Sequence, residues 1–327
     1  MLLHDLNWSR RGQPVLSGMT NRAGWHSVQV YNPTVIRVDG LYKMWFLGND
    51  TATRTNDMNL GYAESKDGLN WAEFSANPIL KQEDLPWGGA WQTPHVMYDS
   101  DESQYKMWFI MSDSKRDANN GVLFNEQWLG YATSPDGIAW RVRSESLGLM
   151  GRRPCVHKES PTMYRMWMNS APDPNGNFRS AARHVFRFTS EDGIAWKRDA
   201  SPVVSATEKL KSVVYPFVIR EGEALTMWYG CHVEGGVFEI YSSTSVDGET
   251  WTHHHDRPSF EATRDPNHFD GRYTSTPCVL VEDNRYLLYY SARDWGNLYG
   301  AADGTVRVDQ DGIYRHIGVA TCERKAQ

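Results

Sequence analysis

A motif that recurs about every 61 residues constrains the fold of this chain more than any other feature of its sequence. The motif reads Tyr-Lys-Met-Trp-Phe at residues 42–46 and again at residues 105–109, and looser copies are centred on Met166, Met227 and Leu288. A second motif, Pro-x-Val, precedes every copy and begins at Pro33, Pro94, Pro154, Pro216 and Pro277. Because two independent motifs share one period, we expect five copies of a single structural unit.

Each unit is expected to contain four short strands. The Pro-x-Val run predicts strand A, the aromatic run predicts strand B, and a Gly-Tyr-Ala-x-Ser run such as residues 61–65 predicts strand C. An Asp-Gly turn, as at Asp67, then leads to a Trp at strand D, which is a hairpin signal. No segment keeps a helical apolar period over several turns. Four antiparallel strands repeated radially predict an all-β, five-bladed β-propeller.

The last unit lacks its own strand D, since no Asp-Gly-x-x-Trp motif follows strand C before Gln327. The N-terminal residues 5–8 resemble the turn at residues 67–71. We therefore expect residues 5–9 to form the missing strand of blade five and to close the ring, which removes exposed sheet edges. On this basis residues 1–327 form a single domain whose blades begin near the five prolines.

Charge and composition exclude several functional classes. The net charge is −6 and the pI is near 6.0, so no nucleic-acid partner is indicated. The N-terminus lacks the apolar core of a signal peptide, and the apolar stretches are too short to span a bilayer. Four cysteines do not make a disulfide scaffold. We expect a cytoplasmic protein with no membrane partner, and the oligomeric state is left open.

No cofactor or metal is expected. The chain has no Gly-rich phosphate loop that opens a helix. The run His253-His254-His255 follows a strand-D Trp, and consecutive strand residues cannot all face one ion, so we interpret it as a solvated loop. The 14 Trp and 16 Tyr indicate either repeated core positions or a surface on which a ligand stacks.

The repeat resembles the five-bladed propeller glycoside hydrolases, a group that includes arabinanases, β-xylosidases, invertases, levansucrases and mannoside phosphorylases. The resemblance covers the whole chain and implies a sugar-active enzyme whose catalytic acids lie at the start of strand A. At those positions this sequence has Asn32, Gln92 with Thr93, and Arg152, so the usual acids are not matched.

Other residues on the same face are candidates for the chemistry. Strand polarity places the start of strand A, the B–C loop and the D–A loop at one end of each blade. The candidate catalytic acids follow strand B and are Asp50, Asp113, Glu234 and Asp294. Each of them could instead cap a loop or pair with a neighbouring arginine. The candidate substrate-binding residues are Trp25, His26, Asn32, Trp87, Trp91, Gln92, Arg152, Arg153, Tyr215, Arg272 and Tyr273.

Arg152 and Arg153 are adjacent where the third inner strand begins. Because successive strand residues point in opposite directions, only one of them is expected to face the channel. Such a guanidinium could clamp a carboxylate or phosphate, or it could lock two blades together.

Three functions are compatible with these features. The leading hypothesis is a glycoside hydrolase-like enzyme acting on a glycoside or furanoside in the central funnel, with a small-molecule or oligosaccharide ligand. The alternative is a non-hydrolytic propeller, with Arg153 central, that binds or transforms a saccharide or another small anionic metabolite. The third is a scaffold for protein interactions.

Overall fold

The computed structural model describes residues 3–18, 24–50, 58–87, 91–112, 127–173, 178–296, 298–300, 306–308 and 314–324. Within these residues the chain is all-β. Besides strands it has one helical turn, α1 (Phe178–Ala181), and 3-10 turns at Leu3–Asp5, Gln82–Asp84 and Glu234–Gly236. Across these ranges no helix is long and apolar enough to cross a bilayer.

The strands pair as antiparallel meanders in chain order. After β1 (Ser9–Arg10) and β2 (Leu16–Ser17), unit one contains β3 (Gln29–Val38), β4 (Leu41–Asn49), β5 (Asn59–Ser65) and β6 (Ala72–Glu73). Unit two contains β7 (Trp91–Asp99), β8 (Gln104–Ser112), β9 (Gln127–Ser134) and β10 (Arg141–Val142). Unit three contains β11 (Arg152–Ser160), β12 (Met163–Asn169), β13 (His184–Ser190) and β14 (Lys197–Arg198), with β15 (Val204–Ser205) also on β13.

The remaining strands form two further units. Unit four contains β16 (Val214–Glu221), β17 (Ala224–His232), β18 (Phe238–Ser245) and β19 (Thr252–His254). Unit five contains β20 (Tyr273–Val281) and β21 (Arg285–Arg293), then the hairpin of β22 (Leu298–Gly300) and β23 (Val306–Val308), and finally β24 (His316–Glu323). A single parallel bridge between Phe238 and Tyr273 joins units four and five into one sheet.

The N-terminal strand completes unit five. In β1, Ser9 pairs with Thr321 and Arg10 with Ala320 of β24. The sequence predicts that this strand begins at residue 5. It begins after Trp8 instead, because residues 3–5 form a 3-10 turn. The same placement holds in unit one, where β6 begins directly after Trp71.

The Asp-Gly turns have the role that the sequence predicted. Asp67 Oδ1 accepts the backbone N–H groups of Leu69 and Asn70, both at 2.8 Å. These bonds hold the pKa of Asp67 below its usual value. The same pair of bonds recurs at Asp136, Asp192 and Asp247. The interpretation of these aspartates as turn residues is confirmed.

A buried aromatic residue on the second strand of most units bonds a turn glycine of the following unit. The bonds are Trp45 Nε1 to Gly137 O (2.7 Å), Trp108 Nε1 to Gly193 O (2.8 Å), Trp167 Nε1 to Gly248 O (3.4 Å) and Tyr289 Oη to Gly68 O (2.6 Å). Each of these glycines has a positive φ, which a residue with a side chain adopts only at a cost. The last bond runs from unit five back to unit one.

Unit four is the exception to this pattern. Trp228 occupies the repeated position and is fully buried, but its Nε1 has no hydrogen-bond partner among the described residues. The turn that should meet it is residues 5–8, which lacks the Asp-Gly pair. Trp8 Nε1 in that turn likewise has no partner in the described part of the chain.

The first strand of every unit carries a β-bulge at the residue before its proline. These five residues have φ between 43° and 62° and are Asn32, Thr93, Arg153, Tyr215 and Thr276. The strand register shifts at each of them. A bulge re-aims side chains, so the simple alternation expected for Arg152 and Arg153 does not apply there.

Beyond the bulges, residues of all five first strands line one open cavity of about 330 Å³. Its wall includes Thr34, His95, Val156, Phe217 and Val279, one residue from each unit. We call this space the axial cavity. The bulged residues therefore mark one end of the five strands that line it.

Candidate functional site

The five bulged residues are buried at the end of each unit where the second strand leads into the third, as β4 leads into β5 in unit one. Asn32, Thr93, Arg153 and Thr276 are fully buried and Tyr215 is 6% exposed. Their backbones are fixed by side chains of other strands: Asn32 N donates to Ser291 Oγ (2.8 Å), Arg153 N to Thr93 Oγ1 (3.1 Å) and Tyr215 N to Asn169 Oδ1 (2.9 Å). We call these five residues the rim.

A cluster of tyrosines lies beside the rim and includes residues from three units. Tyr31 stacks on Tyr314 with ring centroids 5.6 Å apart, and Tyr314 contacts Tyr273 at 5.8 Å. Phe238 lies between Tyr273 and Tyr215, at 5.8 and 6.2 Å. We call Tyr31, Tyr215, Tyr273 and Tyr314 the tyrosine cluster.

Arg152 contacts the tyrosine cluster and contributes a positive charge to it. Arg152 Nη2 donates to Tyr215 Oη at 2.7 Å, and its guanidinium lies 4.9 Å from the centre of that ring. Burial raises the pKa of Tyr31 above its usual range although the charge of Arg152 opposes the shift. Burial likewise raises the pKa of Tyr314. These hydroxyls are therefore neutral hydrogen-bonding groups at physiological pH.

Two buried amides complete the polar surface of this end. Gln92 Oε1 accepts a bond from Tyr31 Oη at 3.3 Å, while Gln92 Nε2 has no partner among the described residues. Within the same residues, neither amide atom of Asn32 meets the geometry of a hydrogen bond, although its side chain lies close enough to Tyr31 to favour the ionised form of that hydroxyl. Buried polar atoms in native proteins nearly always have a partner, so the unmatched atoms indicate water or a ligand at this position.

Asp294, which follows β21, is held in its ionised form by its neighbours. It lies 3.8 Å from Arg315 Nη1 and 3.6 Å from His316 Nε2, and its Oδ1 accepts the N–H of Gly296 at 3.0 Å. Burial favours the neutral acid, but His316, Arg315 and Gly296 outweigh it and hold the pKa of Asp294 below its usual value. Arg315 follows Tyr314 in sequence, so one segment supplies both a tyrosine of the cluster and a cationic neighbour of Asp294.

The other candidate acids lie apart from Asp294. Asp50 is exposed and directly follows β4. Glu234 is also exposed and lines a separate pocket of about 420 Å³ with Lys211 and Arg264. Asp113 lies outside the described residues. The described part of the chain thus brings no two candidate acids into contact with each other.

Trp25 and His26 pack on unit one. His26 is 2% exposed and its Nε2 bonds Glu73 of the outermost strand at 2.9 Å. The Trp25 ring covers Gly48 and Gly61, where a Cβ atom would approach it to within 2.8 and 2.6 Å. These two side chains hold the loop before β3 onto the sheet.

Trp87 and Trp91 pack on unit two, as Trp25 and His26 pack on unit one. Trp91 is 1% exposed and stacks on Phe109 at 4.2 Å, so its ring faces are already occupied. Trp87 is half-buried over Phe109 and Gly130, and its Nε1 donates to Arg143 O at 3.0 Å.

Arg272 and Tyr273 lie where unit five begins. The Arg272 guanidinium is 5.2 Å from the Tyr273 ring and 5.4 Å from the Trp295 ring. Arg293 approaches Tyr273 at 5.3 Å. Two guanidinium groups therefore contact one tyrosine of the cluster.

Of the candidate binding residues, the structure brings together Asn32, Gln92, Arg152, Arg153, Tyr215, Arg272 and Tyr273 around the rim and the cluster. Tyr31 and Tyr314 were missed. Tyr31 could have been found, since it lies two residues before Pro33, at the position where the resemblance expects acids. Tyr314 follows a stretch of sequence that has no repeat motif, so no sequence signal pointed to it.

The histidine run differs from its interpretation as a solvated loop. His253 and His254 belong to β19 and bond Ser243 and Thr244, each at 2.9 Å. His255 Nε2 lies 2.7 Å from Tyr229 Oη. The strand continues past Trp251 because these side chains find partners on β18.

No family model matches the chain. Among curated proteins, it is 28% identical over 135 residues to Uncharacterized protein Rv1502 of Mycobacterium tuberculosis, and the match covers 41% of this chain and 44% of that protein. A second strain of the same species has a protein, MT1551, that matches to the same extent. The match thus spans less than half the length of these curated relatives.

Solved structures share the fold over nearly the whole chain. The structure of a BT0996 complex with RGII has a TM-score of 0.71 at 13% identity and covers 99% of this chain, which in turn covers 94% of that structure. A glycosyl hydrolase from Bacteroides ovatus has a TM-score of 0.69 at 18% identity, and the corresponding shares are 98% and 96%.

A further neighbour comes from a study of the GH130 family of mannoside phosphorylases and related glycoside hydrolases. Its TM-score is 0.65 at 16% identity, and the match covers 96% of this chain and 93% of the neighbour. The chain is similar to glycoside hydrolases in its fold. At these identities the likeness extends to the fold alone.

Proposed function

We propose that residues 1–327 form one five-bladed β-propeller in which each unit is a blade. Three features support the proposal: four-stranded meanders in each unit, one cavity lined by all five first strands, and inter-unit bonds that return from Tyr289 to Gly68. The pairing of β1 with β24 supplies the outer strand of the fifth blade. Ring closure of this kind hides the sheet edges.

We further propose that the protein is a sugar-active enzyme of the glycoside hydrolase type, with its site at the rim. The observation that carries this proposal is the convergence of the tyrosine cluster, Arg152 and two amides with unmatched polar atoms at one end of the axial cavity. Aromatic faces with a few convergent polar groups are typical of small-molecule sites.

Asp294 is the described carboxylate best suited to act as base or nucleophile, because its neighbours keep it ionised. The acid that protonates the leaving oxygen must then come from a residue that retains its proton. Asp50, which directly follows β4, remains a candidate for this role, and so does Asp113, which follows β8 in sequence but lies outside the described residues.

The proposal is tested with a panel of aryl glycosides and oligosaccharides. Once a substrate is found, Asp294→Asn, Asp50→Asn and Asp113→Asn are compared with the wild type, and the acid and base variants should each lose ~10²-fold or more in turnover. Asp283→Asn, in the exposed turn at the opposite end of unit five, is the matched control and should retain full activity. Unchanged turnover in all three site variants would exclude the proposed machinery.

A second function is favoured by one observation, namely that the start of the inner strands carries Asn32, Thr93 and Arg152 in place of acids. Such a rim would bind a saccharide or a small anionic metabolite without hydrolysing it. If no glycoside is cleaved, calorimetry with sugars and sugar acids decides between the two. Arg152→Ala should then weaken binding at least ~10-fold, while Arg220→Ala, on the opposite end, should not.

A further inference from the structure

The centre of the molecule contains a buried positive charge. Arg153 is fully buried, and its Nη2 donates across the rim to Pro277 O at 3.2 Å and to Pro33 O at 3.5 Å. Its guanidinium therefore reaches from unit three to units five and one.

Most of this guanidinium is unsatisfied. Its Nε and Nη1 are buried and make no hydrogen bond within the described residues, and no ion pair among them includes Arg153. Two carbonyl contacts on one nitrogen leave the charge itself uncompensated. An unpaired charge in a protein interior is strongly unfavourable, so a counter-ion is expected.

The groups nearest to Arg153 cannot supply that counter-ion. Burial raises the pKa of the Cys155 thiol to about 12 and that of the Cys278 thiol to about 11, so both stay protonated at neutral pH. His95 is neutral as well, because burial and the charge of Arg153 lower its pKa to about 3. Cys155, Cys278 and His95 are thus all neutral, and none of them balances the charge of the Arg153 guanidinium.

The axial cavity gives an anion access to this charge. The carbonyls that Arg153 contacts belong to Pro33 and Pro277, and nearby residues of the same strands, Thr34 and Val279, line the cavity wall. His95, whose pKa is lowered by burial and by the charge of Arg153, also lines the cavity. Arg153 does not itself line this cavity of about 330 Å³, but its contacts place the guanidinium next to residues that do.

We propose that Arg153 binds a monovalent inorganic anion of chloride size next to its buried Nε and Nη1, near the rim end of the axial cavity. One negative charge neutralises the buried cation, and the two free N–H groups supply its hydrogen bonds. This anion holds the centre of the five units together and is independent of any substrate at the rim. The inference does not depend on the enzymatic activity proposed above.

The test measures stability in the absence of sugar. The protein is unfolded in urea, refolded in sodium gluconate to release any trapped halide, and then titrated with chloride or bromide at constant ionic strength. The folding equilibrium constant should rise with halide and reach ~100-fold at a hundred times the dissociation constant. Arg153→Met should abolish the halide effect, and Arg220→Met, at the cavity wall but exposed to solvent, should retain it.

Crystals grown in bromide give an independent measurement on the wild type and should show an anomalous peak in contact with the Arg153 guanidinium. This measurement decides the matter if Arg153→Met does not fold. Equal stability in chloride and gluconate together with no bromide peak would overturn the proposal, because water would then fill the cavity. An equal halide effect in Arg153→Met would also overturn it.

Discussion

The aromatic-to-glycine bonds between units permit a sharp comparison of Trp45 and Trp228. Both residues are fully buried at the same position of the repeat. Trp45 Nε1 donates to Gly137 O at 2.7 Å, whereas Trp228 Nε1 has no partner in the described residues. Trp45→Phe and Trp228→Phe therefore remove the same volume but differ in one hydrogen bond.

The difference can be estimated from this contrast. Trp45→Phe loses a bond with a net value of about 1 kcal/mol, and Gly137 O keeps its second donor, Trp140 Nε1, at 3.0 Å. Trp228→Phe removes a buried unsatisfied donor, which itself costs roughly 1 kcal/mol or more in the native state. The loss of volume is common to both and cancels. We expect Trp45→Phe to be more destabilising by about 2 kcal/mol.

The measurement is urea unfolding followed by circular dichroism, with equal slopes in wild type and variants as the condition for comparing free energies. Trp108→Phe, which loses a bond of 2.8 Å to Gly193, is the replicate and should behave like Trp45→Phe. If Trp228→Phe is as destabilising as the other two, the inter-unit bonds contribute nothing measurable and the reasoning fails.

Three further predictions concern the turns, the N-terminus and pH. Asp136→Ala should cost about 1 kcal/mol and leave ligand binding intact, because two backbone N–H groups lose their acceptor; lost binding at unchanged stability would contradict this. Deleting residues 1–12 should expose the edge of β24 and cause aggregation or loss of cooperative unfolding, and an unchanged melting temperature would exclude that role. His95 has a native pKa of about 3 and an unfolded value near 6.5, so the unfolded state binds more protons between these values. Stability should fall on acidification by up to ~1.4 kcal/mol per pH unit in this window, and a His95→Gln variant with the same acid slope would refute the assignment.

The repeat made the strands and their order predictable. Each Met-Trp-Phe copy and each Asp-Gly-x-x-Trp turn has a local physical cause, namely aromatic packing and a glycine with positive φ. The turn role of Asp67 followed from the same reasoning and is confirmed. Local patterns of this kind need no knowledge of distant residues.

The candidate site was less predictable because its geometry depends on contacts between units. A bulge before Pro154 changes the simple alternation of side chains at Arg152 and Arg153: Arg153 reaches across to Pro33 and Pro277, while Arg152 bonds Tyr215 of unit four. The sequence indicates Trp91 as a residue that binds substrate, but its ring is covered by Phe109. Tyr314 joins the cluster from a segment outside the repeat, so only the folded chain brings it to Tyr31.

The positive φ values of the rim have a consequence for how a ligand would arrive. Thr93 and Thr276 are β-branched, and each adopts a conformation that costs of order 1–3 kcal/mol unless its surroundings enforce it. Because the surrounding packing enforces these backbone conformations, it leaves the rim no other low-energy conformation to adopt when a ligand binds. We therefore expect association without induced fit: a single kinetic phase, an observed rate linear in ligand concentration, and free and bound crystals that superimpose at the rim.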